Sequence, residues 1–327
     1  MAALPVMAAA TPTPVTIDNY VRAESDLVFQ RLVEHGGIGR FRQLRTLGPL
    51  DQQVVPRPNR DTLYSTAVFD LDAGPVRITL PAAGKRYISL MIVDEDHYVE
   101  RMVYAPGVQQ IDRKHFPSRY ALAAVRILVD PNDPADVAAA TALQDAIKVE
   151  QAQPGTLTLP DWDEASRARI RDALRTLGET VTDHNHDFGA RGEVDNFRHL
   201  IGTATAWGGA PARDAMYLNE TPAANDGETV QRLTVPGAVP VDAFWSVTVY
   251  DRAGYIQPNA LGAYSVNSLT ARRNADGSAT LQFGGCHAGV PNCLPITKGW
   301  NYLVRLYRPR PSVLAGTWTF PKAEVVK

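Results

Sequence analysis

Arg57-Pro58-Asn59-Arg60-Asp61-Thr62-Leu63-Tyr64-Ser65 packs two guanidinium groups, a carboxylate, an amide, a phenol and two hydroxyls into nine positions. The strand pattern Thr66-Ala67-Val68-Phe69-Asp70-Leu71 follows it without a break. Polar side chains delivered at the mouth of a sheet are what a small-molecule site needs. The same residues also read as a structural feature, with Asp61 paired to an arginine and capping a turn that Pro58 shapes.

Downstream, strand patterns recur at Val76–Leu80, Tyr87–Val93, His97–Tyr104 and Arg119–Val129. Turn signals such as Asp72-Ala73-Gly74 and Ala82-Ala83-Gly84 separate several of them. Between two strands lies Asp94-Glu95-Asp96-His97-Tyr98, whose adjacent acids repel. Burial would raise at least one of their pKa values unless a cation answers them. Upstream, Ile17–His35 reads as an amphipathic helix that Thr16 can cap, with Val21, Val28 and Leu32 near one face and Gly36-Gly37 at its end.

Pro131-Asn132-Asp133-Pro134 opens a helix by its cap chemistry, and Val137, Ala140, Leu143 and Ile147 form its apolar stripe. Gln151 to Pro160 is polar and carries two prolines, which makes it the best boundary. A further helix has its stripe at Ile170, Leu174, Leu177 and Val181. It runs out at Asp183-His184-Asn185-His186-Asp187, where the two histidines would hold a divalent metal only on an extended segment. Val194–Ile201 reads as a short helix carrying Arg198 and His199, ahead of Trp207-Gly208-Gly209. In the last third, Ala243–Asp251 alternates, with Trp245, Val247 and Val249 opposite Phe244, Ser246, Thr248 and Tyr250. Trp300–Tyr307 alternates again, and Asn274-Ala275-Asp276-Gly277 is a hairpin signal. Antiparallel strands at such intervals suggest a β-sandwich or jelly roll.

At 327 residues the chain is long enough for two domains. Charged residues make up 21% and the net charge is −2, which gives no field for nucleic acid or an acidic membrane surface. No apolar run approaches the ~18 residues a membrane span requires. Ala2-Ala3-Leu4-Pro5-Val6-Met7-Ala8-Ala9-Ala10 is small and apolar and ends like a signal-peptidase site, but it lacks a basic start. Cys286 and Cys293 are close enough in sequence for a disulfide across a Gly- and Pro-rich turn. Two free thiols, or an incomplete metal site beside His287, are the other readings.

Read together, these blocks resemble a bacterial family that pairs the domains of unknown function 1254 (N-terminal) and 1214 (C-terminal). The resemblance covers roughly 17 to 327. In the N-terminal part it rests on Arg57–Ser65, Gly84-Lys85-Arg86-Tyr87 and Glu95-Asp96-His97-Tyr98. In the middle it rests on Arg198-His199-Leu200-Ile201-Gly202, Ala206-Trp207-Gly208-Gly209 and Asn225-Asp226-Gly227. Towards the end come Phe244–Tyr250, Asn292-Cys293-Leu294-Pro295, Gly299-Trp300-Asn301-Tyr302 and Trp318-Thr319-Phe320-Pro321. It implies an α+β fold, an N-terminal α+β domain followed by a C-terminal antiparallel jelly-roll-like β domain. The expected boundaries are a flexible N-terminus or signal remnant at 1–16, the first domain at 17–152, a helical connector at 153–228 and the β domain at 229–327. The resemblance also implies export, a periplasmic or exterior location, and a Cys286–Cys293 disulfide. It supplies no reaction.

The expectation is an enzyme acting on a small, anionic organic substrate by acid–base, hydrolase-like chemistry. Asp61 or Glu95 would move a proton, with His97 or His199 as partner. Arg57 and Arg60 would hold an anionic group, Tyr64 would donate to a developing oxyanion, and Asn59, Arg198 and Trp207 would complete the binding set. No nucleophile elbow, phosphate loop, dinucleotide fingerprint or zinc-protease helix is present. No cofactor is therefore expected, with a divalent metal at the histidines as second choice. The rival classes are a non-catalytic envelope ligand-binding protein, in which Trp207, Trp245, Trp300 or Trp318 would stack on sugars, and a homo-oligomeric assembly subunit.

Overall fold

The computed structural model describes residues 11–53 and 56–326, so the small apolar stretch at 2–10 lies outside the described residues. The chain runs through helix α1 (Tyr20–Glu34) and strands β1 (Arg42–Leu44), β2 (Thr62–Asp70), β3 (Val76–Leu80), β4 (Ile88–Asp94), β5 (Val99–Val103), β6 (Gly107–Ile111) and β7 (Tyr120–Leu128). Then come α2 (Pro134–Asp145), β8 (Lys148–Glu150), α3 (Glu164–Gly178), α4 (Asn196–Ala206) and β9 (Ala215–Glu220). The remainder is β10 (Gln231–Val235), β11 (Trp245–Tyr250), β12 (Ser265–Asn267), β13 (Ala279–Phe283), β14 (Cys293–Leu294), β15 (Asn301–Tyr307), α5 (Pro311–Leu314) and β16 (Glu324–Val325). The fold is mixed α+β with mainly antiparallel sheets.

In the first half an antiparallel sheet runs β1-β2-β7-β4-β5, and β6-β3-β8 forms a smaller one. Period-2 alternation divides the larger sheet into two faces. Leu63, Ala67, Phe69, Ile88, Leu90, Ala123, Val125 and Ile127 pack with Val76, Ile78 and Leu80 of β3 and with Ala140 of α2. The opposite face changes character along its length. At one end Val68, Leu122 and Val93 bury Phe29 of α1. At the other end Tyr64, Arg126 and Ser89 stand side by side in register on β2, β7 and β4.

In the second half, sheets β14-β13-β10-β16 and β12-β11-β15-β9 enclose a second apolar core. Trp245, Val247 and Val249 meet Leu233, Leu281 and Phe283 there. Trp300 is fully buried and stacks on Phe283 at 5.0 Å. Every residue of β11 and β15 is buried, so the second face of this sheet is covered as well. What covers it is the polar end of the five-stranded sheet and the Arg57–Asp61 approach to β2. The span 153–228 holds α3, α4 and also β9, which is an edge strand of the second sheet pair.

Local chemistry explains most element boundaries. The Asp133 carboxylate accepts from the Ala135 N–H with Pro134 at the first turn, and Asp163 caps α3 in the same way. Four expectations need correction. Strand β2 begins at Thr62 rather than Thr66, because Thr62 to Ser65 pair with Leu128 to Val125 of β7. Strand β5 begins at Val99 rather than His97, because His97 has φ +64° in the Asp94–Tyr98 turn. Helix α1 starts after Asn19, whose side chain accepts from the Thr16 N–H at 2.8 Å, so Thr16 is not its cap. Helix α3 ends at Gly178, leaving Val181 beyond it and Leu177 56% exposed. Only Ile170 and Leu174 of that stripe pack, against α1 and α4.

Cys286 and Cys293 form a disulfide, with Cα atoms 5.6 Å apart. Among the described residues no helix is long and apolar enough to cross a membrane.

Candidate functional site

Where the two halves meet, two polar strand faces are pressed together. The five-stranded sheet contributes Thr62, Tyr64, Ser89 and Arg126. The facing sheet contributes Ser246, Thr248 and Tyr250 from β11, Arg305 and Tyr307 from β15, and Ser265 and Asn267 from β12, which pair in register. Asp61 enters between them and is fully buried. Its Oδ1 accepts from Asn267 Nδ2 at 3.0 Å and from Ser265 Oγ at 3.3 Å. Asn59 fixes this approach from both sides: its Oδ1 accepts the Asp61 N–H at 2.7 Å, and its Nδ2 donates to Tyr307 Oη at 2.8 Å.

Two buried guanidinium groups stand in this layer, and the Asp61 charge acts on one of them, Arg305. Arg305 donates to Thr248 Oγ1 (3.1 Å), the Arg57 carbonyl (2.9 Å) and Tyr250 Oη (2.8 Å), and Tyr250 Oη donates in turn to the Pro58 carbonyl. Arg126 donates to the Gly208 carbonyl at 2.9 Å and lies over the Tyr64 ring. Among the described residues neither arginine has a carboxylate within ion-pair distance. With Arg57 at its edge, the layer therefore holds three cations and one anion in a low-dielectric setting, which favours a further anion. Five of its buried polar atoms have no hydrogen-bond partner among the described residues: Asp61 Oδ2, Thr62 Oγ1, Ser89 Oγ, Ser246 Oγ and Arg126 Nε. Such atoms are a few per hundred residues in native proteins, and a cluster of them marks a place for water or ligand. Burial pushes the Tyr307 hydroxyl well up and raises Tyr250, so both remain protonated donors at neutral pH.

Of the residues expected from the sequence, Asp61, Asn59, Tyr64 and Arg57 come together here. Arg57 donates to Asn301 Oδ1 at 2.8 Å and lies over the Tyr250 ring. Arg60 turns aside, donating to the Gly48 carbonyl at 2.8 Å and lying over the Tyr264 ring.

Glu95, His97, His199, Trp207 and Arg198 form a separate group beside α4. Thr203 Oγ1 donates to the His199 carbonyl, so His97 Nδ1–H donates to Thr203 Oγ1 at 2.8 Å, and His97 Nε2 accepts the Gly208 N–H at 2.8 Å. Burial holds His97 well below its ordinary pKa and lowers His199 too, so both rings are neutral. His199 donates to the Asp96 carbonyl and stacks on Tyr98 at 4.2 Å, while Trp207 stacks on His97 at 4.7 Å. The Glu95 carboxylate accepts the Tyr120 N–H at 2.9 Å and faces Arg22 at 3.6 Å. Arg198 pairs with Asp187 at 2.8 Å. These bonds hold the turn and helix together and leave the His97 ring no free nitrogen. Gly208 joins the two groups, because its N–H holds His97 and its carbonyl holds Arg126. His184 and His186 each turn to an aspartate, Asp187 and Asp183, rather than to each other. Among the described residues no three His, Cys, Asp or Glu side chains converge as a metal would need.

The sequence reading missed Arg126, Arg305, Tyr307, Ser246 and Asn267. The signal was present: Ala124-Val125-Arg126-Ile127-Leu128 and Val304-Arg305-Leu306 each carry one charge inside an apolar strand. A fully buried strand has no solvent face for such a residue.

The comparisons with known proteins bear on family and fold. The profile described as "Protein of unknown function (DUF1254)" matches residues 38–107, and "Protein of unknown function (DUF1214)" matches 215–311. No curated protein matches the chain. The crystal structure of the VPA0106 protein from Vibrio parahaemolyticus is similar over 95% of this chain and 98% of its own, at 18% identity and a TM-score of 0.74. That of a putative uncharacterized protein from Burkholderia cenocepacia covers 95% of this chain and 88% of its own, at 15% identity and a TM-score of 0.50. At these identities the likeness shows the fold alone. With the two profiles matched in N- to C-terminal order, the chain belongs to the family in which a DUF1254 domain precedes a DUF1214 domain.

Proposed function

We propose that the protein binds a small anionic organic molecule in the polar layer around Asp61 and acts on it by acid–base, hydrolase-like chemistry without a cofactor. The observation that carries this reading is the charge imbalance: Arg57, Arg126 and Arg305 enter the layer with one carboxylate, Asp61, and polar atoms there lack partners. A ligand carboxylate would supply the missing charge, and the buried Tyr307 hydroxyl, whose hydrogen is uncommitted, would orient it as a donor. Asp61, whose Oδ2 is uncommitted, is the group available to take or give a proton.

The test is wild type against Asp61→Asn, screened with carboxylates and their esters and amides. Removing the carboxylate lowers repulsion for the anion and removes the base. Asp61→Asn is therefore expected to bind the anion more tightly and to turn it over at least ~100-fold more slowly. Weaker binding in Asp61→Asn would overturn the placement of the anion, and unchanged turnover would overturn the role of Asp61. A second reading is binding without turnover, favoured by Tyr307 and Tyr250 being held protonated and so unable to trade protons. Tight binding with no product from any ester or amide would select it.

The surrounding assignments belong to the same proposal. The β domain from 229 onward is read as jelly-roll-like, after a first domain at 17–152 and a connector at 153–228. The disulfide fits an oxidising, exported or periplasmic setting. A homo-oligomer is compatible with this arrangement.

A further inference from the structure

A cleft of about 450 Å³ opens at the rim of the polar layer, between the loop that precedes β4 and the ends of β11, β12 and β15. That volume lies in the range of small-molecule sites, ~300–1,000 Å³. Its aromatic wall is Tyr87, Tyr104 and Phe244. Tyr87 meets Phe244 edge-on at 5.1 Å and Tyr104 at 5.9 Å.

Four charged side chains line it. Arg86 is committed to Asp136, and Asp242 to Arg310 at 2.8 Å. Lys85 and Arg308, which approach from opposite halves of the protein, have no ion-pair partner among the described residues. Arg308 is also held in a conformation that few side chains adopt, with φ +53°. Its N–H donates to the Asp214 carbonyl, and its own carbonyl accepts the Asp242 N–H, each at 2.8 Å. Its guanidinium lies over the Tyr104 ring at 4.8 Å. Backbone strain retained at one wall of a cleft, in a residue whose cation has no ion-pair partner among the described residues, points to a ligand role.

We propose that this cleft is a docking site for a planar aromatic carboxylate, with the ring against Tyr87, Tyr104 and Phe244 and the carboxylate between Lys85 and Arg308. Offset or edge-to-face contacts with those rings favour an aromatic over a saturated ring, and Arg308 offers a planar fork matched to a carboxylate. The cleft also adjoins the buried layer. The Tyr87–Leu128 row lies two residues along the same strands from Tyr64, Arg126 and Ser89, a step of about 7 Å. Phe244 stacks at 4.0 Å on Tyr307, which holds Asn59. The link to the layer rests on the function proposed above; the docking site rests on its own residues.

The experiment is calorimetric titration of benzoate, cyclohexanecarboxylate and inorganic phosphate into wild type, Lys85→Gln, Lys85→Gln/Arg308→Gln and Asp61→Asn, each checked for native circular dichroism. Lys85 is exposed, so its single variant remains informative if the double variant does not fold. The expected result is benzoate binding weakened at least about tenfold by the double variant and several-fold by Lys85→Gln. Cyclohexanecarboxylate and phosphate are expected to bind more weakly than benzoate. Benzoate bound equally by wild type and the Lys85 variants overturns the docking site. If Asp61→Asn alone changes affinity, the anion sits in the buried layer, and that reading survives while this one fails. Equal affinity for cyclohexanecarboxylate or phosphate overturns the aromatic assignment, and no benzoate binding to wild type overturns the whole.

Discussion

The charge layer makes a prediction that needs no ligand. Asp61 and Arg305 are both fully enclosed, and the Asp61 charge acts on Arg305 although no direct bond joins them. Replacing Arg305 by Met removes four donated bonds and leaves Asp61 with less compensation, which costs about 3–5 kcal/mol for a buried charge stripped of its partner. Asp61→Asn leaves Arg305 without the opposing charge that acts on it and is expected to cost a similar amount. In the double variant each change removes the charge that the other stranded. The combined loss should therefore fall short of the sum by at least ~1–3 kcal/mol. The bonds from Arg305 to Thr248, Arg57, Pro58 and Tyr250 are absent in both Met backgrounds, so the cycle isolates the charge coupling. Urea unfolding followed by tryptophan fluorescence, with m-values held constant across the set, measures all four corners. Additivity within ~0.5 kcal/mol would refute the idea that these charges share one low-dielectric layer.

Further outcomes follow from other parts of the molecule. The Cys286–Cys293 disulfide closes a loop with a sequence separation of 7, so replacing both by Ala should cost about 2.5 kcal/mol in denaturant, with no effect of reductant on the variant. Burial pushes Asp26 up to about 6, against an ordinary 3.8, so the folded state holds this proton more tightly than the unfolded state. Its contribution to stability is therefore present below about pH 4 and is lost as pH rises towards 6. Asp26→Asn keeps an acceptor for Trp162 and should be more stable than wild type at pH 8 by up to ~3 kcal/mol, the two converging near pH 4 in urea melts. Gly155 has φ +72°, and an added Cβ would stand 2.4 Å from the Asp70 Cβ, so Gly155→Ala should cost at least ~2 kcal/mol and disturb the Asp70–Arg119 pair.

What could be read from the sequence was mostly what short-range chemistry controls. The strand Val76–Leu80, the cap at Asp133-Pro134 and the alternation through Trp245 to Tyr250 all appear in the fold, because cap bonds and pleat period need no distant partner. The polar stretch at Asn59–Ser65 was legible as a candidate site for the same reason, its density of functional groups being local. The other half of the layer was not visible. Arg126, Arg305 and Asn267 come from three distant strands, and alternation separates two faces of a strand without saying that both are buried. His97 and His199 read differently in sequence and in the fold: next to acids they resemble proton carriers, yet both His97 nitrogens and His199 Nε2 are held by Thr203, Gly208 and Asp96. Leu177 failed because a helical stripe predicts burial only while the helix and its neighbour both continue.

Gly208 has an optical consequence. Its carbonyl is held by Arg126 in the layer, and its N–H is held by His97, whose ring lies flat against the Trp207 indole. A molecule that draws the Arg126 guanidinium towards itself releases that carbonyl, and the same residue transmits the shift to the stacked rings. Trp207 is then a native emission probe of the layer's occupancy, one that needs no label and can be isolated by replacing the tryptophans at 162, 245, 300 and 318 with phenylalanine.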